Sequence, residues 1–216
     1  MQLNQYIDHT LLNPIATPID IQNLCEEAIE HQFYAVCIPP SYIEIAKSVL
    51  KTSEVKIATV IGFPLGAMTT EAKVFEARNA LDKGVDEIDM VINIGMLKAG
   101  DYDYIEKEIA AIKKAIGSKV LKVIIETCYL TDTEKKSACR AALNAKADFV
   151  KTSTGFGTAG ATFDDVKLMK EIAGTKMQIK ASGGIKDRKT AIKYIELGVS
   201  RLGTSSGIKL VTSEDN

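Results

Sequence analysis

The sequence predicts an α/β protein folded as a closed (β/α)8 barrel, and three observations carry that expectation. Short runs rich in β-branched and aromatic residues alternate with helical patterns eight times along 216 residues. Their spacing is about 25 to 30 residues, the length of one βα unit. The polar residues within these runs gather towards the C-terminal ends of the strands, the end at which barrel enzymes do chemistry. An open doubly wound sheet is the competing arrangement. Its GxGxxG fingerprint belongs between an early strand and helix, whereas the one match here, Gly155, Gly157 and Gly160 in GFGTAG, follows a late strand holding a lysine.

Taken in order, the strands are DHTLL from Asp8, YAVCI from Tyr34, KIATVIGF from Lys56, EIDMVIN from Glu87, LKVIIET from Leu121, DFVKTST from Asp148, QIKASGG from Gln178 and RLGTSS from Arg201. Thr17 followed by Pro18 reads as a helix cap with proline at the first helical position. Thr131 and Glu134 have capping-box spacing, and Asp187 can cap the helix that follows it. Gly84, Gly117, Gly174 and Gly198 stand where helices must stop before the next strand. No linker or low-complexity tract interrupts the series, so residues 1–216 read as one barrel domain.

Composition narrows the function. The net charge is −1 with both signs interspersed, which gives no field to draw nucleic acid and no polybasic segment to hold a membrane. The N-terminus MQLNQYIDHT lacks the apolar run of a signal peptide, and no stretch approaches the roughly 20 apolar residues of a membrane span. A cytoplasmic protein is expected, with small molecules or further copies of itself as partners. Cys25, Cys37, Cys128 and Cys139 lack metal-binding spacing and read as reduced thiols, Cys37 as core or pocket wall. With only His9 and His31 present, neither a metal nor another cofactor is expected.

The stretch that carries chemistry is ADFVKTSTGFGTAG, residues 147–160, in which Lys151 ends a strand just where glycines begin a loop. Alternation along a strand places Lys151 on one face with Phe149 and Ser153. The same rule turns Lys180 inward with Ile179 and Ala181 outward, and Asp89 inward with Ile88, Met90 and Ile92 outward. Lys122 shares a face with Ile124 and Glu126, and Asp8 with Thr10. Three lysines and at least two acids therefore meet in one interior. Burial and a neighbouring ammonium both favour a neutral Lys151, an amine able to attack a carbonyl. Asp89 with Lys180 forms a candidate proton relay, while Lys122 and Asp8 neutralise the network. Ser182, Gly183 and Gly184 follow the seventh strand, and Gly203, Thr204, Ser205, Ser206 and Gly207 follow the eighth, the two loops in which barrels collect a phosphate. Lys186 can add charge there. The residues alone indicate imine chemistry on a phosphorylated sugar without choosing the sugar.

The chain resembles the deoxyribose-phosphate aldolase family of class I aldolases over essentially its whole length. The segments are DHTLL at Asp8, TVIGFPLG at Thr59, EIDMVIN at Glu87, LKVIIET at Leu121, FVKTSTGFG at Phe149, IKASGGI at Ile179 and GTSSG at Gly203. The resemblance implies that Lys151 is the Schiff-base lysine, that Lys180 lowers its pKa and moves protons with Asp89, and that Asp8, Lys122 and Thr152 belong to the substrate site. It also implies phosphate binding by Gly155, Gly183, Gly184, Gly203, Ser205 and Ser206. The implied reaction is reversible cleavage of 2-deoxy-D-ribose 5-phosphate to D-glyceraldehyde 3-phosphate and acetaldehyde, a step of deoxyribose breakdown, in a homodimer or higher homo-oligomer.

Two departures from the pattern stand out. No tyrosine follows Tyr194, so proton transfer by a C-terminal tyrosine, which longer members use, is not expected. Phe156 follows Gly155 where some members carry a phosphate-holding lysine, so backbone donors should serve instead. Another lysine-imine lyase or transaldolase, a non-catalytic sugar-phosphate-binding barrel and a metal-dependent lyase are the alternative readings.

Overall fold

The structure, a computed structural model, describes residues 2–213. Eight parallel strands close in sequence order, β1 Ile7–Thr10, β2 Ala35–Ile38, β3 Lys56–Ile61, β4 Glu87–Val91, β5 Val120–Ile124, β6 Phe149–Lys151, β7 Gln178–Ser182 and β8 Arg201–Thr204, with β8 pairing back onto β1. The helices around them are α1 Pro18–Glu30, α2 Ile43–Val49, α3 Thr70–Asp82, α4 Ile94–Lys98, α5 Tyr102–Ile116, α6 Asp132–Asn144, α7 Phe163–Ala173, α8 Arg188–Glu196 and α9 Gly207–Thr212. That is the predicted barrel, with one difference in the helix count. The short α4 precedes α5 between β4 and β5, so the described residues hold nine α-helices, not eight.

Local chemistry sets the boundaries. Thr17 and Thr131 both form complete capping boxes, with Asp20 and Glu134 answering at the third helical position, and Asp187 accepts from the Thr190 amide at 2.8 Å. The four expected helix stops, Gly84, Gly117, Gly174 and Gly198, all take positive φ. The sixth strand is shorter than DFVKTST suggests, three residues long, because the chain turns away after Lys151.

The core is a shell between sheet and helices. Ile88, Met90 and Ile92 from β4 and its end, Val150 from β6 and Ile179 and Ala181 from β7 face outward, as alternation requires. Ile105, Ile109, Ile112 and Ile116, one stripe of α5 at helical spacing, lie in the same buried cluster. Each fully buried side chain of this size contributes about 1.5–3 kcal/mol. Glu108 falls in the same stripe and is also buried; its carboxylate accepts from Lys73 Nζ of α3 at 2.5 Å and from the Asn93 amide at 3.0 Å. The interior of the barrel is different: its buried charges lie among a few apolar side chains, Phe149 near Arg201 and a small cluster of Cys37, Ala58 and Val60. No helix among the described residues is long and apolar enough to cross a membrane.

Candidate active site

Register brings the predicted residues together. Lys151 is paired with Lys180 on β7 and with Ile124 on β5, Lys122 with Asp89, and Lys180 with Arg201. Lys151 Nζ donates to Asp89 Oδ2 at 2.7 Å, and Lys180 Nζ donates to the same oxygen at 2.8 Å. Lys122 Nζ takes the other oxygen, Oδ1, at 2.7 Å. Lys180 also bonds Asp8 Oδ2. All five side chains are buried, Lys151 being 2% exposed.

The charges separate into two kinds. Burial alone would raise the Asp89 pKa, but Lys122, Lys151 and Lys180 together hold it well below the usual carboxylate range. Asp8 is likewise held low, against the effect of burial, by Lys180, Arg201 and Lys122. Burial opposes the charge on Lys180 and Lys122, yet their carboxylate partners keep both above the ordinary lysine value. Lys151 moves the other way. Burial lowers its pKa first, and repulsion from Lys180 adds to that, while Asp89 opposes them. Of the three lysines, it alone is shifted towards the free amine.

Above Lys151 opens a cavity of about 470 Å³. The phosphate-loop candidates line it: Gly155, Gly183, Gly184, Gly203, Ser205 and Ser206, with Lys186 beside them. Gly183 and Gly184 have φ +85° and +81°, a left-handed pair that aims consecutive backbone groups as a side-chain-bearing residue does not. The loop is braced from both sides. The Ala161 amide donates to Ser182 O at 3.0 Å and to Gly183 O at 3.2 Å, and Thr204 Oγ1 donates to Ile185 O at 2.8 Å while accepting from the Ser206 amide at 2.9 Å. Phe156 meets Phe63 edge-on at the rim, ring centroids 5.3 Å apart.

Not every expected residue reaches the cavity. Asp8, Asp89, Lys122 and Lys180 lie beneath its floor instead of lining it. Thr152 lies outside it: its hydroxyl donates to Ser182 O at 3.2 Å and accepts from the Ser182 amide at 3.1 Å, tying β6 to β7. The alternation that turns Lys151 inward turns its neighbour outward. Glu126 does not join Lys122 in the interior cluster either. Its left-handed backbone, φ +55°, ends the strand pattern, and its carboxylate accepts from the Thr154 amide at 3.2 Å and from Thr154 Oγ1. The Cys37 thiol is buried and its pKa is raised by that burial, which suits a wall and not a nucleophile. Tyr194, the last tyrosine, is buried and donates to Ala161 O at 2.7 Å; Glu214, Asp215 and Asn216, the end of the tail, lie outside the described residues.

Sequence reasoning missed two interior residues. Arg201 Nη1 donates to Asp8 Oδ1 at 2.9 Å and to Glu87 Oε2 at 3.1 Å, and Lys122 Nζ stands 2.7 Å from Glu87 Oε2. The signal was present: Glu87 shares a face with Asp89 at two-residue spacing, and Arg201 shares one with Gly203. The segment Leu11–Pro14 after β1, also missed, forms one wall of the cavity.

Comparison with known proteins agrees with this geometry. A family model described as DeoC/LacD family aldolase matches residues 3–208. The deoxyribose-phosphate aldolase of Finegoldia magna is 56% identical over 211 residues, 98% of this chain and 99% of that protein, and its Thermococcus gammatolerans counterpart is 56% identical over 221 residues, 100% and 98% of the two chains. Among solved structures, a putative deoxyribose-phosphate aldolase from Coccidioides immitis superposes with TM-score 0.95 at 39% identity, over 97% of this chain and 84% of that one. The tetrameric deoxyribose phosphate aldolase of Aeropyrum pernix superposes with TM-score 0.91 at 34% identity, over 97% and 89%. With the family model spanning nearly the whole sequence and relatives of this closeness covered end to end, this chain belongs to the DeoC/LacD aldolase family.

Proposed function

We propose that this protein cleaves 2-deoxy-D-ribose 5-phosphate reversibly to D-glyceraldehyde 3-phosphate and acetaldehyde, with Lys151 forming the Schiff base. The observation that carries the assignment is Lys151 Nζ beneath a glycine-lined cavity, sharing one carboxylate oxygen with Lys180. The neutral amine attacks the C1 aldehyde. Lys180, held protonated, donates to the departing hydroxyl, and loss of water leaves an iminium ion. That cation accepts the electron pair released as the C2–C3 bond breaks. The C3 hydroxyl proton passes by way of a water or Lys180 to Asp89, whose carboxylate already receives both lysines. Glyceraldehyde 3-phosphate departs first, the enamine is protonated at carbon through the same groups, and water releases acetaldehyde.

The phosphate of the substrate anchors the far end. Its charge fits the backbone donors of the loop at Gly183 and Gly184, the hydroxyls of Ser205 and Ser206, and the ammonium of Lys186. The cavity volume suits a small sugar phosphate. A soluble cytoplasmic enzyme assembled from several copies is the corresponding reading of its surroundings. Leu65 and Phe75, 73% and 71% exposed, are apolar surface that self-association would cover, and sedimentation at varied concentration measures it.

The test is borohydride reduction with substrate present, followed by peptide mass mapping. Label on Lys151 supports the assignment, and label on Lys180 alone reverses the two roles. Acetaldehyde among the products separates this reaction from transaldolase-type transfer. Protection against heat by substrate without turnover would make the protein a binding barrel.

A further inference from the structure

Beneath Lys151 the buried charges form a closed ring. Asp89 bonds Lys122, Lys122 reaches Glu87, Glu87 accepts from Arg201, Arg201 donates to Asp8, Asp8 accepts from Lys180, and Lys180 returns to Asp89. Acid and base alternate throughout, three of each. The ring is therefore neutral by itself, and Lys151 is a seventh group attached to it through Asp89 Oδ2. Were Lys151 protonated, the sealed interior would hold one uncompensated positive charge, which a low-dielectric site opposes strongly.

We infer that Glu87 and Arg201, buried and outside the lining of the cavity, are positioning residues that keep Lys151 uncharged by completing the balance of this ring. The inference rests on the aldolase reading above. Arg201 is held for the purpose: its guanidinium carbon stands 3.4 Å from the centroid of the Tyr34 ring and 5.5 Å from that of Phe149, so the cation is fixed by stacking as well as by its two carboxylates. The groups facing Lys151 from the surrounding strands are Asp8 from β1, the Cys37 thiol from β2, Asp89 and Glu87 from β4, Lys122 from β5, Lys180 from β7 and Arg201 from β8, while β3 supplies the apolar Ala58 and Val60. Loss of one acid leaves the ring positive, and loss of one base leaves it negative. Only the second change invites a proton onto Lys151.

The experiment is the pH dependence of kcat/KM, whose acid limb reports the free-enzyme amine, in Glu87→Gln, Arg201→Met, the double variant and Arg201→Lys. Arg201→Met should move the acid limb up by about one pH unit, lowering kcat/KM near neutrality about tenfold with recovery at alkaline pH. Glu87→Gln should move it down by a similar amount. The double variant and the charge-preserving Arg201→Lys should return close to the wild-type limb. A residue needed only for packing would lower thermal stability and leave the limb in place. Unmoved limbs, or shifts of the same sign in both single variants, overturn the inference. If Arg201→Met does not fold, Glu87→Gln and Arg201→Lys decide it. Borohydride trapping of Lys151 against pH in the same proteins keeps the two readings apart. No label in the wild type removes the aldolase reading, whereas label with an unmoved limb removes only the role of the ring.

Discussion

Replacing Gly183 by alanine tests the phosphate cradle more sharply than removal of any side chain. Gly183 has φ +85°, and an added Cβ would stand 2.8 Å from Gly160 Cα, which is backbone and has no rotamer to yield. The left-handed conformation costs a side-chain-bearing residue about 1–2 kcal/mol, and forcing two backbone segments apart adds about 1–3 kcal/mol. The bonds from the Ala161 amide to Ser182 O and Gly183 O join these two segments, so the β6–α7 and β7–α8 loops separate together. Displacing one backbone donor from a phosphate forfeits about 1.5–3 kcal/mol, a 10- to 100-fold fall in kcat/KM. Gly184→Ala is the control: its φ is +81°, but nothing beyond its own chain neighbours lies within 4 Å of the added Cβ, so only the conformational cost applies. The assay compares 2-deoxyribose 5-phosphate with unphosphorylated 2-deoxyribose. Gly183→Ala should lose its activity on the phosphorylated sugar alone, and more than Gly184→Ala does. Equal losses on both sugars would refute the assignment of these loops to phosphate.

Lys151→Ala should fold, abolish cleavage and abolish borohydride labelling; wild-type turnover in this variant would contradict the Schiff-base role. Asp89→Asn should also fold while turning over at least about 100-fold more slowly, the usual contribution of a proton-transfer group, and an unimpaired rate would remove Asp89 from the relay. On the helix side, burial lowers the Lys73 pKa and raises that of Glu108, and each charge opposes the shift of the other. Lys73→Met should therefore cost about 3–5 kcal/mol in urea denaturation, with most of it recovered in Lys73→Met/Glu108→Gln, because glutamine retains an oxygen for the Asn93 amide. A double variant no more stable than the single one would show that the pair is not a coupled unit.

Much of the barrel and its floor could be read from two periodicities. The period of two along β4, β6 and β7 turned Asp89, Lys151 and Lys180 inward while their apolar neighbours joined the helix-side core. Caps at Thr17, Thr131 and Asp187 depend on local hydrogen bonds and were legible for that reason. What escaped depends on groups far apart in sequence. Glu87 and Arg201, 114 residues apart, are the first residues of their strands, where a charge ordinarily reads as solvated; only closure of the sheet brings them to one another. Lys73 and Glu108 look like exposed charges on two separate helices until α3 and α5 pack together. Glu126 defeated the alternation rule because one left-handed residue re-aims a side chain, and short sequence windows do not show it. Thr152 is a different case: alternation already placed it opposite Lys151, and its hydroxyl bonds Ser182 outside the lining of the cavity.

An interior filled with charge is a poor way to stabilise a barrel. Most such barrels fill that space with layers of branched apolar side chains, and exchanging a buried ionic network for apolar groups of equal volume is often neutral or stabilising. Here a few apolar side chains, Phe149 and the cluster of Cys37, Ala58 and Val60 among them, share the interior with the charges, and most of the apolar burial lies in the shell between sheet and helices. The division has a chemical consequence. A lone lysine in an apolar barrel would lose its proton but would have no acid or base beside it, while a lysine among unmatched carboxylates would keep its proton. On the proposed mechanism a ring neutral without Lys151 meets both demands, leaving the amine free to attack and holding Lys180 and Asp89 charged for the proton transfers that follow.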